Sequence, residues 1–218
     1  MMLRILALLI GLGGIPAASW ADPVRLLVFG DSLTEGYGLA TDDGLVPQLQ
    51  QWLVARGHDV EVINDGASGH QTSDGKKRIA SSLERFSPDA VIVELGGNDL
   101  ISDVDPKVTE ANLDSILAQA GTDGRPLLLV GIARPERDRI RRQAWADIWP
   151  RLAQKHDALL LENLYGPFFG LTRRQQAKML QQDRIHASAE GIKLIIESLG
   201  PKVEELVHEV EAMKVGTN

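Results

Sequence analysis

The chain has 218 residues, 44% of them hydrophobic and 24% charged, with a formal net charge of −7. Those values fit a soluble globular chain with a real core, and an acidic balance without a long basic run argues against nucleic acid as a partner. The absence of cysteine excludes disulfides, thiolate catalysis, cysteine-based zinc sites and a lipid anchor on cysteine.

The first segment, "MMLRILALLIGLGGIPAASWA" (1–21), carries one Arg, an apolar run, Pro16, and small residues at Ser19 and Ala21. That is the pattern of a secretory signal, with cleavage expected after Ala21 and a mature chain starting at Asp22. The apolar run is shorter than the roughly 20 residues a spanning helix needs. Residues 22–218 are then expected to form one domain.

Along that domain, apolar β-capable runs alternate with amphipathic stretches. "VRLLVFG" (24–30) predicts a strand, and 45–57 predicts a helix with Leu45, Leu49, Trp52 and Leu53 on one face. "DVEVIND" (59–65) alternates like a strand, and 74–86 is helical. "DAVIVELGG" (89–97) is nearly continuous, like a strand covered on both faces. A helix over 105–121 opens on Asp-Pro and ends at Gly. A strand follows at 126–132. The segment 134–142 is locally basic but contains acids, and it reads as a solvated helix start. The helix over 140–156 contains Pro150, which should kink or break it. "DALLLEN" (157–163) is the fifth strand, and 188–214 is a last helix with a break expected near Gly200–Pro201. This alternation predicts an α/β doubly wound domain with a mostly parallel five-stranded sheet.

Ligands in such sheets sit beyond the carboxyl ends of the strands. The residues there are Gly30–Asp31–Ser32, the segment 65–69, Gly96–Gly97–Asn98 and Ala133–Arg134. A serine becomes a nucleophile when a base, normally a carboxylate-oriented histidine, takes its proton. Of the five histidines, His186 has a carboxylate three residues before it, Asp183, in "DRIHAS". Taken alone, that spacing also reads as a helix-capping turn, and the Gly, Asn and Asp residues of the other loops also read as turn chemistry. Candidate oxyanion donors are the Ser32 N–H, the glycine-rich "NDGASGHQT" (64–72) and the Asn98 amide.

"GDSL" (30–33), the glycine of "GASGHQT", "GGND" (96–99) and "DRIH" (183–186) resemble, in order and spacing, the four blocks of the SGNH (GDSL) hydrolase family. The likeness is greatest to its secreted arylesterase, acyl-CoA thioesterase and lysophospholipase branch. The resemblance implies a flavodoxin-like three-layer α/β/α sandwich. It implies Ser32 as nucleophile, His186 as base and Asp183 as its orienter. It implies Ser32, Gly69 and Asn98 as the oxyanion hole, and Asp31 as a supporting residue. No metal or cofactor is implied. The expected substrate is a small-molecule or lipid ester or thioester.

The chain departs from the family pattern in three places. Ala187 and Ser188 stand where Pro and Asn are usual, which predicts a less rigid loop. His70 stands where Asp is common and reads as a rim residue. Ile101, Ser102 and Asp103 replace Leu-Arg-Gly in a loop expected to line the acyl pocket. Leu100, Ile101, Ile132 and the cluster at 165–170 read either as an apolar rim or as core under a loop. A carbohydrate (acetyl) esterase of the same superfamily and a non-catalytic α/β binding protein remain as alternatives. A nucleotide or flavin module lacks its glycine fingerprint. The signal predicts export, to the periplasm or beyond.

Overall fold

The computed structural model describes residues 22–133 and 138–216. The expected leader and Arg134 lie outside the described residues.

Strands β1 (Val24–Gly30), β2 (Val60–Gly66), β3 (Ala90–Glu94), β4 (Leu127–Val130) and β5 (Leu159–Leu161) form one sheet, ordered 2-1-3-4-5, with every neighbouring pair parallel. The helices are α1 (Ser32–Glu35), α2 (Leu45–Val54), α3 (Thr72–Phe86), α4 (Gly97–Ile101), α5 (Pro106–Ala120), α6 (Arg139–Ala146), α7 (Ile148–Lys155), α8 (Arg173–Met179) and α9 (Ala189–Gly216). This is the flavodoxin-like α/β/α sandwich expected from the sequence.

β1, β3 and β4 are largely apolar because both faces are covered, whereas the edge strand β2 alternates and carries Glu61, Asn64 and Asp65. Successive side chains point to opposite faces, so each strand feeds two cores. Leu26, Val28, Ala90, Ile92, Leu128 and Val130 pack with Leu45, Leu49 and Leu53 of α2 and with Ile192, Ile195 and Leu199 of α9. Leu27, Phe29, Val91, Val93 and Leu129 pack with Ile79 of α3, Leu113 and Ile116 of α5, and Ile148 and Trp149 of α7. Each fully buried Leu, Ile or Val side chain contributes roughly 1.5–3 kcal/mol by leaving water.

The break expected in the helix with Pro150 is present, and the one expected near Pro201 is not. The break in the 140–156 segment falls at Asp147, and Pro150 sits within the first turn of α7. A first-turn proline costs little, since its N–H would have no partner there. The last helix does not break: α9 runs through Pro201. Pro201 forfeits one helical hydrogen bond and costs about 3 kcal/mol. Val203, Leu206, Val207 and Val210 lie beyond it and are all buried. Their combined burial, at roughly 1.5–3 kcal/mol each, outweighs that cost. Gly200 lets the helix seat on Trp52, because a Cβ there would come within 2.6 Å of the indole.

Register places the site. Gly30 pairs with Gly66 on one side and with Glu94 on the other, so the loops after β1, β2 and β3 leave the sheet together. The strand order reverses between β1 and β3, and a crevice opens at such a point. Among the described residues no helix is long and apolar enough to cross a membrane.

Candidate active site

β1 turns sharply into α1. Asp31 caps that helix, its Oδ1 accepting the Leu33 N–H at 3.1 Å. Ser32 is the first helical residue and is 9% exposed. The turn needs a glycine before it, because a Cβ on Gly30 would lie 1.9 Å from Thr34 Oγ1 and 2.7 Å from Glu94 Oε2.

Beneath the turn lies Glu94, 2% exposed, with Thr34 Oγ1 donating to its Oε2 at 2.8 Å. Complete burial lifts the Glu94 carboxyl well above the usual range, and the neighbouring Asp31 lifts it further. The Asp31 carboxyl is pushed up to about 6, chiefly by burial, while the Leu33 N–H and the His186 charge pull the other way. Neither Glu94 nor Thr34 was singled out from the sequence. The available signal was one acid closing the otherwise apolar run "AVIVE".

The loop after β2 is pinned by Glu35 of α1, whose Oε2 accepts the Ser68 N–H at 2.9 Å and the Ser68 hydroxyl. His70 N–H closes a turn onto Ala67 O at 3.1 Å, and Gly69 within it has φ +78°, a conformation that favours glycine. Among the described residues, neither the Ser32 N–H nor the Gly69 N–H donates a hydrogen bond within the protein. At the helix start this follows from geometry, since the first four N–H groups have no intrahelical acceptor.

Asn98 lies in α4, after β3. Its Nδ2 donates to His70 O at 2.9 Å and to Asp31 Oδ2 at 3.2 Å. The His70 carbonyl can only accept, which assigns the nitrogen to that side. His70 therefore meets the site through its carbonyl, and its Nδ1 is buried without a partner. Asp99 is 1% exposed and accepts the Thr72 N–H at 2.8 Å, Thr72 Oγ1 at 2.5 Å and Thr109 Oγ1 at 3.2 Å. It ties the β3 loop to α3 and α5, a role the sequence reading did not assign.

The fourth block lies between α8 and α9. Asp183 Oδ1 accepts the N–H groups of Ile185 at 2.9 Å and His186 at 3.1 Å. Its other oxygen meets His186 Nδ1 at 2.6 Å, and His186 Nε2 lies 2.8 Å from Ser32 Oγ. An Nδ1–H donated to the carboxylate leaves Nε2 as the acceptor facing the hydroxyl. Burial nudges the Asp183 carboxyl up. The hydrogen bonds from the His186 ring and the Ile185 and His186 amides outweigh this and hold it below the usual aspartate range.

The loop is not loose, despite Ala187 and Ser188. Ala187 is fully buried and pairs with Leu180, and Ser188 Oγ accepts the Gly191 N–H at the start of α9. Gln181 donates to Tyr37 O and Ala187 O, and Tyr165 Oη donates to Ile185 O. The Tyr37 ring lies 4.7 Å from the His186 ring, centroid to centroid.

The structure thus brings Ser32, His186 and Asp183 into one hydrogen-bonded chain and sets Asn98 against Asp31, the neighbour of Ser32. The remaining histidines pair elsewhere: His58 with Glu204, His156 with Asp114, and His208 with Glu211. The apolar candidates divide. Leu100 and Phe168 are core, whereas Ile101 and Phe169 are more than half exposed. Ile132 lies beside the site, its Cδ1 and Asp31 Oδ2 each 3.4 Å from where a Gly97 Cβ would stand.

A serine–histidine–aspartate chain at the carboxyl edge of a parallel sheet is the arrangement of a serine hydrolase. Residues 28–194 match the profile of the GDSL-like Lipase/Acylhydrolase family. An arylesterase of Vibrio mimicus is 32% identical over 90% of this chain and 95% of its own length. The thioesterase 1/protease 1/lysophospholipase L1 of Escherichia coli K12 is 29% identical over 84% of this chain and 85% of its own. The crystal structure of TesA superposes with a TM-score of 0.76 at 30% identity, covering 84% of this chain and 99% of that one. The chain belongs to the GDSL-like lipase/acylhydrolase family and is a serine hydrolase of carboxylic esters.

Proposed function

We propose that Ser32 is the nucleophile of an acyl-enzyme mechanism, with His186 as general base and Asp183 as its orienting carboxylate. The observation that carries this is the continuous chain from Ser32 Oγ through His186 to Asp183 Oδ2. His186 Nε2 takes the hydroxyl proton as Oγ attacks the carbonyl carbon of an ester or thioester. The resulting oxyanion takes hydrogen bonds from the N–H groups of Ser32 and Gly69 and from Asn98 Nδ2. The long contact from Asn98 to Asp31 is the one it displaces. The C–O or C–S bond then breaks, and the alcohol or thiol leaves with the proton from His186. Water adds to the acyl-enzyme by the same route and returns free Ser32 and a carboxylic acid.

The relatives' names support aryl esters, thioesters and lysophospholipids as the substrate range, and Ile132 beside the site supports an apolar acyl group. The leader pattern supports export, to the periplasm or the medium, with residues 22–218 acting as one catalytic domain.

The test is labelling by a fluorophosphonate, followed by peptide mapping. Modification of Ser32, absent in Ser32→Ala, is expected, together with loss of p-nitrophenyl ester hydrolysis. Unchanged hydrolysis by Ser32→Ala would sink the assignment. A rate series over esters of increasing acyl length, an acyl-CoA and a lysophospholipid then ranks the substrates.

A further inference from the structure

The opposite end of the molecule holds a second cluster of chemically capable side chains. His58 follows α2 and precedes β2, at the amino edge of the sheet, whereas Ser32 follows β1 at its carboxyl edge. Glu204 and His208 lie one turn apart on α9. Glu204 is 15 residues beyond the start of α9, about 23 Å along its axis at 1.5 Å per residue. One ligand atom from each of His58, Glu204 and His208 lies within 4.8 Å of the other two.

We propose that His58, Glu204 and His208 form a binding site for a borderline divalent transition metal, with zinc as the reference ion, that clamps α9 to the segment joining α2 and β2. Four observations support it. The ligand types are imidazole and carboxylate, the set that zinc, copper and nickel prefer over hard cations. Ligand atoms around a tetrahedral zinc stand about 3.3 Å apart, so small side-chain rotations close the cluster. Two of the three ligands share one face of a long helix at i and i+4, which holds their spacing. Finally, His208 already has the outer partner that a metal-bound imidazole normally carries. Its Nδ1 meets Glu211 Oε2 at 3.2 Å, which puts the proton on Nδ1 and leaves Nε2 with a free lone pair.

His58 Nε2 meets Glu204 Oε1 at 2.8 Å, and the His58 and His208 rings lie edge to face with centroids 5.4 Å apart. The metal takes the place of the hydrogen on His58 Nε2, and the imidazole binds as its Nδ1–H tautomer, with no net loss of a proton from the ring. Arg56 is the cation on the neighbouring turn. Its guanidinium lies over the Trp52 ring, 3.4 Å from the centroid, and donates to Trp52 O, outside the cluster. Lys202 pairs with Glu205 on the same helix.

The experiment uses the untagged mature chain with zinc chloride at pH 7.5, followed by calorimetric titration and thermal unfolding. One zinc per chain is expected, with Tm raised by about 5–10 °C at zinc roughly a hundredfold above Kd. Magnesium and calcium should produce no shift. EDTA should reverse the zinc effect. His58→Gln and His208→Gln should each lose the shift while keeping p-nitrophenyl ester hydrolysis. His208 is exposed, so its variant preserves the test if His58→Gln folds poorly. The proposal is overturned by three outcomes: no saturable binding, binding that survives both substitutions, or binding lost only in His186→Gln, which would locate the metal at the Ser32 site.

Discussion

The two ends of the Ser32–His186–Asp183 chain are built differently. The end at Ser32, the proposed nucleophile, is buried and non-local. Ser32 stands on a turn wedged between three strand ends, above a Glu94 carboxyl whose partner Thr34 is 60 residues away in sequence. The end at His186, the proposed base, lies nearer solvent and is local. Asp183 and His186 are three residues apart, and the turn between them is held by Asp183's own side chain. The first end is therefore part of what holds the fold together, and the second is a preformed attachment to it. Damage at the base end should cost turnover with little stability, whereas damage beneath the nucleophile should cost both.

The largest expected effect is at the base. His186→Ala should lower kcat by about 10⁴-fold or more, and Asp183→Asn by about 10²–10⁴-fold, with Tm nearly unchanged at pH 7. Turnover of a p-nitrophenyl ester and a calorimetric scan check this. A Tm loss as large as that of a core substitution would erase the distinction between the two ends. Asn98→Ala should lower turnover by about 10²–10³-fold, as loss of one oxyanion donor does, with KM little changed. An effect mainly on KM would remove Asn98 from the oxyanion hole.

Next in size is Glu94. Glu94→Ala should cost about 2–4 kcal/mol of stability, because it opens a cavity and strips Thr34 Oγ1 of its acceptor. Glu94→Gln keeps that acceptor and should recover most of the loss, measured by urea unfolding. Equal losses in the two variants would mean that the carboxylic acid itself, which an isosteric amide does not replace, matters more than its shape or the Thr34 contact.

The smallest and most diagnostic effect concerns Asp31. Its carboxyl binds a proton more tightly in the folded state, up to about 6 against 3.8. The folded state holds more protons between these values, so this group's contribution to stability falls as pH rises from about 4 to about 6 and then levels off. At pH 8 the cost is at most about 3 kcal/mol. Asp31→Asn can still cap α1 and does not titrate. Its Tm relative to the parent should therefore rise by several degrees between pH 4 and pH 7. A flat difference across that range would show that Asp31 is not strained by burial.

Much of this molecule is legible in its sequence. Four strands announced themselves as apolar runs, the inner three because two covered faces leave few polar positions, and the edge strand β2 by its alternation. Asp105 before Pro106 marked the start of α5. Ser32, Asn98, Asp183 and His186 stood out by residue type at strand ends or in a short loop, but each alone also read as turn chemistry, and Gly69 was named only through the likeness to the four SGNH blocks. Of the two prolines read as helix breakers, Pro150 coincides with a break and Pro201 does not. The first fell where a proline costs little, and the second was overridden by the burial of the helix beyond it.

What the sequence determined alone was the alternation of strand and helix and the residue types available at the strand ends. These follow from local periodicity and from the few side chains able to do this chemistry. Only the tertiary structure decided which of them meet. The 2-1-3-4-5 order and the Gly30 register brought Glu94 under Ser32, set the Asn98 amide between His70 O and Asp31, and carried His186 across 154 residues to Ser32 Oγ. The same folding placed Glu204 against His58, 146 residues away, at the other end of the sheet. Contacts of that span depend on how helices seat on a twisted sheet, and no local pattern in the chain encodes them.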